Sequence, residues 1–230
     1  MAFDIRQARE TDDLRPLWET AFLPDEAFFS RDYRPEQALI VTDSQKPVSM
    51  LHILPRSLRL GDAVYKAGYI MGVATDPACR RQGLAAQLLK QAVKTIEEEE
   101  YDCAMLIPAS AELARYYAKF GLTMRGSMPV AESEPLYSPR RASNNDIPVL
   151  SAWYNEAFPH RAERDGYEWE TILLGYTVMI GLNGYTAGDE RGLLERVPVP
   201  PGTPDCERAA CIKPFTAGIQ PPPYINLLYT

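Results

Sequence analysis

The segment 73–86 constrains the fold of this chain more than any other part of the sequence. An apolar run, Tyr69–Ala74, enters the segment, and an amphipathic helix leaves it. The loop between them places Arg80, Gly83 and Ala85 in an R-x-x-G-x-A spacing. The first N–H groups of a helix lack an intrahelical acceptor, and the helix dipole adds positive potential there. Because the two small residues let a ligand approach the backbone, we predict a strand–loop–helix that binds a phosphate or pyrophosphate.

The loop resembles the acetyl-CoA-binding motif of the GCN5-related N-acetyltransferase (GNAT) superfamily. That motif has Arg or Gln, two residues, Gly, one residue, and then Gly or Ala, and the chain matches it at Arg80, Gly83 and Ala85. The resemblance covers residues 1–130 and is far weaker after them. Within the superfamily the sequence is similar to the Eis-like branch in three further segments: Leu-His-Ile-Leu-Pro (51–55), Tyr-Ile-Met-Gly-Val-Ala-Thr (69–75) and Tyr-Tyr-Ala-Lys-Phe-Gly (116–121).

The resemblance implies an α/β (α+β) fold in which a mixed, mostly antiparallel central sheet is flanked by helices. The hydrophobic pattern indicates strands at 38–42, 48–60 and 63–74, which form an antiparallel meander leading into the loop. A helix then precedes a buried strand at 101–108. Such a strand–helix–strand unit is right-handed and places the loop at the carboxyl end of the sheet.

The composition changes near residue 131, where prolines and charges indicate a linker. We therefore predict two domains, an acetyl-CoA-binding domain over 1–135 and an accessory domain over 136–230. The second domain has a helix–helix–strand order that imitates the start of the first, where Thr11 is predicted to cap a helix. A degenerate half-copy of the same fold is one interpretation of that order. The prolines of 198–223 exclude a regular helix there.

Acetyl-CoA is the co-substrate that the resemblance implies. In the family the backbone at the end of the strand holds the pantetheine arm like an added strand. The N–H near Val73 or Ala74 then polarises the thioester carbonyl, as in an oxyanion hole. Ser110, the predicted N-cap of a helix over 109–120, joins this set. An ordinary helix start and a plain buried strand remain the alternatives. The predicted cofactor-binding residues are Val73, Ala74, Thr75, Arg80, Arg81, Gln82, Gly83, Leu84, Ala85, Ala86 and Ser110.

Tyr117 is the predicted acid. It lies four residues before Gly121, where the family commonly keeps a tyrosine that protonates the departing CoA thiolate. A phenol suits this role because its reference pKa, about 10, is close to the value of about 8.5 for a thiol. The alternative is an aromatic side chain that packs a helix on the sheet, as the neighbouring Tyr116 also could.

The base that deprotonates the amine has no obvious candidate. Many family members carry a glutamate on the strand before the loop, whereas residues 66–72 contain no acid. The Eis-like resemblance suggests the terminal carboxylate of Thr230, and a frayed chain end is the alternative. A path through water, or a carboxylate from elsewhere in the chain, also remains open.

Composition and charge limit the function classes. The net charge of −7 argues against a nucleic-acid-binding surface and is compatible with a cationic small substrate. No apolar run is long enough to cross a bilayer, and the N-terminal residues lack a signal-peptide core, so we expect a cytoplasmic protein without a membrane partner. The four cysteines form no C-x-x-C pair and are interpreted as free thiols. His52 and His160 lack nearby carboxylate or thiol clusters, so no metal site is expected.

These features together predict an acetyl-CoA-dependent N-acetyltransferase that acts on a primary amine of a small molecule or peptide. The amine would attack directly within a ternary complex and enter from the side formed by residues 20–36 and the C-terminal region. The alternative is a catalytically inactive CoA-binding module that serves as a sensor or binds a partner. A homo-oligomer is possible, because the apolar tail 224–229 can pair with another chain or fold back.

Overall fold

The computed structural model describes residues 3–127, 135–189, 192–198, 209–217 and 219. In chain order the elements are β1 (Phe3–Gln7), α1 (Arg15–Trp18), β2 (Ala38–Asp43), β3 (Lys46–Leu60), β4 (Ala63–Thr75), α2 (Leu84–Glu98), β5 (Cys103–Leu106), α3 (Ala111–Ala118), β6 (Met124–Ser127), β7 (Arg140–Arg141), α4 (Ile147–Ala157), β8 (His160–Ala162), α5 (Gly166–Gly175), β9 (Thr177–Gly181), β10 (Gly184–Asp189), β11 (Gly192–Val197) and β12 (Ala209–Pro214). Short helical turns also occur at Phe28–Asp32, Pro35–Gln37, Pro77–Cys79 and Asn144–Asp146.

These described strands form two sheets. The larger has the order β1-β2-β3-β4-β5-β12-β6, with β8 paired to the far end of β3, and the smaller has the order β11-β10-β9-β7. Every pair in both sheets is antiparallel except β4 with β5. The predicted fold, a mostly antiparallel mixed sheet flanked by helices, is therefore confirmed.

The meander β2–β4 forms where the hydrophobic pattern predicted it. The turn between β2 and β3 uses Ser44 and Gln45 at φ values of 51° and 71°, and the turn between β3 and β4 uses Gly61 at 63°. Such positive φ values match the twist of a tight hairpin. The outcome is a pair of long neighbouring strands, β3 and β4, that forms the centre of the sheet.

Helix α2 returns the chain from β4 to β5 and packs on one face of the sheet. Its buried residues fall on one helical stripe: Leu84, Leu88, Leu89, Ala92, Val93 and Ile96. The contact is closest at Gly68, where an added Cβ would lie 2.7 Å from Ile96 Cγ1. Since real Cβ contacts are not that short, a glycine is required for α2 to approach β4 this closely.

Strands β4 and β5 pair only over a short stretch and then separate. The parallel register joins Ala67–Tyr69 to Cys103–Met105 and ends there, while β4 continues to Thr75 with β3 as its partner. A register shift in the β3–β4 pair marks a bulge at Gly72, whose φ is +62°. Within the described residues, the last part of β4 thus has a partner strand on one edge and a gap on the other.

Strand β12 lies between β5 and β6 of the larger sheet. It pairs antiparallel with both neighbours, and Ala210, Cys211 and Ile212 are buried. The sequence pattern excluded helix here but did not predict a strand. The predicted boundary at residue 135 stays a prediction, and two strands beyond it, β8 and β12, pair with the larger sheet.

Helix α1 is shorter than the sequence pattern indicated. The helix expected from Thr11 begins only at Arg15, with Leu14 as the N-cap and a proline in its first turn. Proline is well suited to a first helical turn because it has no N–H to lose. The chain then winds into a π-helical turn, Phe28–Asp32, instead of a continuous helix.

His52 lies in an aromatic box under the bulge. Its ring centroid is 5.2 Å from that of Phe28, 5.7 Å from that of Tyr33 and 6.0 Å from that of Trp18. A Cβ at Gly72 would lie 2.8 Å from His52 Nδ1, so the box closes directly against the bulge. Neither ring nitrogen has a hydrogen-bond partner among the described residues, and burial lowers the pKa of His52 to about 4.

Because His52 is buried, we predict that the free energy of unfolding depends on pH. Its pKa is 6.5 when exposed and about 4 in the folded chain, so the unfolded state binds the proton more tightly and stability falls as pH drops from about 6.5 towards 4. We expect the wild type to lose about 2–3 kcal/mol of unfolding free energy to this group over that range, and a His52→Phe variant to lack this loss. Urea unfolding at several pH values measures the difference. Parallel pH dependences for the two proteins would contradict the assignment.

Candidate active site

The loop after β4 is held by its own side chains. Asp76 Oδ1 accepts a hydrogen bond from the N–H of Ala78 at 2.9 Å, which caps the turn Pro77–Cys79. Arg80 Nε donates to the carbonyl of Thr75 at 3.2 Å. These two contacts fold the chain back on the end of β4, so that the following residues start α2 beside it.

The start of α2 is open. Arg81 and Gly83 have φ values of 64° and 75°, and Gly83 is the N-cap without a side chain to satisfy the first N–H groups. A Cβ placed on Gly83 would meet nothing within 4 Å, and Arg81 and Gln82 are exposed. A non-glycine residue at positive φ costs free energy and tends to occur where function requires it. The first turn of α2 therefore presents donors to open space, as a pyrophosphate would need.

The end of β4 faces the gap beside β5. Ala74 is buried, while Val73 and Thr75 are half-buried. On the β3 side, Ser49 Oγ donates to the carbonyl of Ala74 at 2.9 Å and lies 2.8 Å from Thr75 Oγ1. The strand is thus fixed from one edge, and its other edge can receive an extended ligand by main-chain hydrogen bonds.

Tyr117 lies on α3 near the point where β4 and β5 separate. It is buried in the cluster formed with α2 and β5. Burial, reinforced by Tyr116, Cys211 and Tyr69, raises the pKa of Tyr117 to about 12. Tyr69 is the last β4 residue paired with β5. The phenol is therefore protonated at neutral pH and lies near the gap.

Ser110 caps α3, as predicted. Its Oγ accepts a hydrogen bond from the N–H of Leu113 at 3.2 Å, and the residue is exposed. The cofactor role given to Ser110 stays a prediction. Thr230, the candidate base, lies outside the described residues, as does the tail 224–229.

No metal centre is found in the part of the chain that the structure describes, where no three His, Cys, Asp or Glu side chains are grouped to hold an ion. Among the described residues, Cys79, Cys103 and Cys211 take part in no disulfide. No helix among the described ranges is long and apolar enough to span a membrane.

A cavity of about 580 Å³ lies on the other side of β4. Its walls come from the segment 23–37, from β3 and β4, and from α5 of the second half of the chain. Apolar side chains such as Phe28, Met71 and Ile172 form part of the lining. The charged lining residues are the acids Asp25, Asp32, Asp165, Glu168 and Asp189 and the bases Arg34 and Arg56. Because acids outnumber bases, the cavity favours a cationic guest.

Contacts between α5 and the π-helical turn hold two walls of this cavity together. Tyr167 donates its hydroxyl proton to Asp32 Oδ1 at 2.7 Å, and the guanidinium of Arg31 lies 4.9 Å from the Tyr167 ring centroid. Arg31 also forms an ion pair with Glu170 at 3.8 Å. No sequence motif marks these residues, and the local signal near them is the capping pattern that starts α5.

Comparison with known proteins places this geometry in a family. Residues 4–124 match the family model described as an acetyltransferase (GNAT) domain. No curated protein matches the chain significantly.

Solved structures show the same fold at low sequence identity. A GCN5-related N-acetyltransferase from Kribbella flavida has a TM-score of 0.56 and 15% identity, over 84% of this chain and 56% of that one. Eis1 from Mycobacterium abscessus has a TM-score of 0.55 and 14% identity, over 81% and 53%. A GCN5-related N-acetyltransferase from Anabaena variabilis has a TM-score of 0.55 and 16% identity, over 84% and 53%. The chain spans little more than half the length of these three proteins.

The family match agrees with two features of the structure: the open start of α2 after β4, and the separation of β4 from β5. Since the matched residues 4–124 make up more than half of the 230-residue chain, the chain belongs to the acetyltransferase (GNAT) domain family.

Proposed function

We propose that the protein transfers the acetyl group of acetyl-CoA to a primary amine, by direct attack of the amine within a ternary complex. One observation carries the proposal: β4 borders both halves of the required site. Met71 lines the acid-rich cavity, and a few residues later the same strand runs past the gap into the open start of α2. A donor bound along β4 and an amine bound in the cavity would meet at the bulge.

The chain's backbone would hold the donor. The N–H groups from Arg81 to Ala86 lie at the positive end of α2 and would bind the pyrophosphate, with Arg80 and Arg81 adding charge. The free edge of Val73–Thr75 would pair with the pantetheine arm. Acetyl-CoA supplies the thioester, and an N–H at Val73 or Ala74 would stabilise the negative charge that develops on its carbonyl oxygen.

Tyr117 would return a proton to the departing thiolate. Its phenol stays protonated at neutral pH because burial raises the pKa to about 12. Tyr69, the last β4 residue paired with β5, is one of the groups that raise this pKa, and the gap opens beyond it. A leaving thiolate in that gap would therefore meet a phenol that still carries its proton.

The cavity supports a cationic amine as the acceptor. Five carboxylates and two guanidinium groups line it, and an alkylamine carries a positive charge at neutral pH. Phe28 and Met71 would bury the carbon chain of such an amine, while the carboxylates would attract its ammonium group.

The loop is tested by the binding of acetyl-CoA. We expect calorimetry to give micromolar binding for the wild type and at least about tenfold weaker binding for Arg81→Glu combined with Gly83→Asp, because negative charge would face the pyrophosphate. Lys94→Glu serves as the control, because this substitution reverses the charge of an exposed residue on the same helix, far from the helix start. Equal losses in both variants, or no binding by the folded wild type, would contradict the proposed site.

Tyr117→Phe tests the proton donor. We expect turnover to fall about 100-fold or more while the affinity for acetyl-CoA stays nearly unchanged, because only the proton transfer is lost. A thiol-release assay with a panel of primary amines measures it, and Tyr116→Phe on the same helix is the matched control. An unchanged rate would remove Tyr117 from the mechanism. Binding of acetyl-CoA without transfer to any amine would instead favour a CoA-binding module that senses the ligand or binds a partner.

A further inference from the structure

Glu168 is held in a fixed position on the wall of the cavity. It is the third residue of α5 and forms a reciprocal capping box with Asp165. Asp165 Oδ1 accepts from the N–H of Glu168 at 2.9 Å, and Glu168 Oε2 accepts from the N–H of Asp165 at 2.7 Å. The first bond fixes the backbone of Glu168 and the second its carboxylate, so the side chain loses little further freedom when a ligand binds.

The second carboxylate oxygen of Glu168 remains available. Glu168 Oε1 forms a loose ion pair with Arg56 Nε at 4.0 Å, but this distance is too long for a hydrogen bond, and the oxygen accepts none from the described residues. Asp32, by contrast, already accepts the Tyr167 hydroxyl, and Asp25 caps the N–H of Phe28. The side chain of Glu168 is 29% exposed, so Oε1 can be reached from the cavity.

The part of β4 beside the proposed site has no acidic residue that could serve as the base. Residues 66–72 of β4 contain no carboxylate, and Met71 is the β4 residue that reaches the cavity wall. Helix α5 supplies another part of the lining, which includes Glu168. We propose that Glu168 of α5 is the general base, which accepts a proton from the acceptor amine directly or through one water. This inference rests on the proposed acetyl transfer.

The surroundings of Glu168 make its carboxylate a better base than an exposed one. Burial raises its pKa above the ordinary value, and this effect exceeds the opposing ones. The groups that lower the pKa are the N–H of Asp165 and the cations Arg56 on β3 and Arg164 before α5, while the charge of Asp165 raises it. The other charged residues that line the cavity are Asp25, Asp32 and Arg34 of the segment 23–37 and Asp189 of β10.

The proton balance of the reaction closes with these residues. The ammonium group gives one proton to Glu168, and the neutral amine attacks the thioester carbon, so that a C–N bond forms and the C–S bond breaks. Tyr117 gives its proton to the leaving sulfur and recovers one from the nitrogen, which becomes the amide. Glu168 then releases its proton to solvent, and the products are the acetylated amine, free CoA and one proton.

Glu168→Gln tests the proposal without breaking the helix start, because glutamine at the third helical position also completes a capping box. We expect kcat/KM for the amine to fall about 100-fold or more at neutral pH, with the affinity for acetyl-CoA unchanged. The residual rate should rise about tenfold per pH unit towards the pKa of the amine, since only amine already neutral in water can then react. For the wild type, kcat/KM for the amine should instead stop rising once the pH exceeds the pKa of Glu168.

Glu156→Gln is the matched control, since this exposed glutamate on α4 does not line the cavity. It should keep the wild-type rate and pH profile. Activity of Glu168→Gln within about threefold of the wild type, the same pH profile in both, or an equal loss in Glu156→Gln would overturn the role of Glu168 while leaving acetyl transfer intact. A wild type that binds acetyl-CoA but acetylates no amine in the panel would overturn the proposed function and this inference together.

Discussion

The separation of β4 from β5 is the constraint on which the rest of the structure depends. Two paired strands satisfy each other's backbone groups, whereas β4 leaves its parallel partner after Tyr69 and continues to Thr75. Unpaired backbone N–H and C=O groups are costly unless water or a ligand satisfies them. Two contacts hold the strand in this position: Gly68 lets α2 approach on one face, and the box around His52 closes against Gly72 on the other.

The second half of the chain supplies a part of the cavity wall that the larger sheet does not. Helix α5 forms part of the cavity wall and is joined to the π-helical turn by Tyr167, Arg31 and Glu170. A buried ion pair joins Arg164, just before α5, to Glu195 of the smaller sheet through two hydrogen bonds of 2.9 Å and 2.7 Å. Because breaking such a pair leaves a buried charge, the pair fixes the start of α5 relative to that sheet. The acceptor side of the site thus depends on residues far from the phosphate loop in sequence.

The local parts of this structure could be predicted from the sequence, and the long-range parts could not. The R-x-x-G-x-A loop, the amphipathic face of α2 and the cap at Ser110 are set by neighbouring residues, so their pattern is visible in the chain. The place of β12 depends on pairing with β5 and β6, and nothing local in Ala209–Pro214 specifies those partners. For the same reason the sequence around Glu168 indicates only the start of a helix. Its place on the cavity wall results from how α5 packs against the π-helical turn.

Amide hydrogen exchange with and without acetyl-CoA tests the central claim most directly. If the donor binds along the free edge of β4 and at the start of α2, exchange should slow at amides within Val73–Thr75 and Gly83–Ala86. The amides of Val178–Ile180 in the smaller sheet should be unaffected and serve as the internal reference. Protection confined to other segments, or none at saturating acetyl-CoA, would contradict the account.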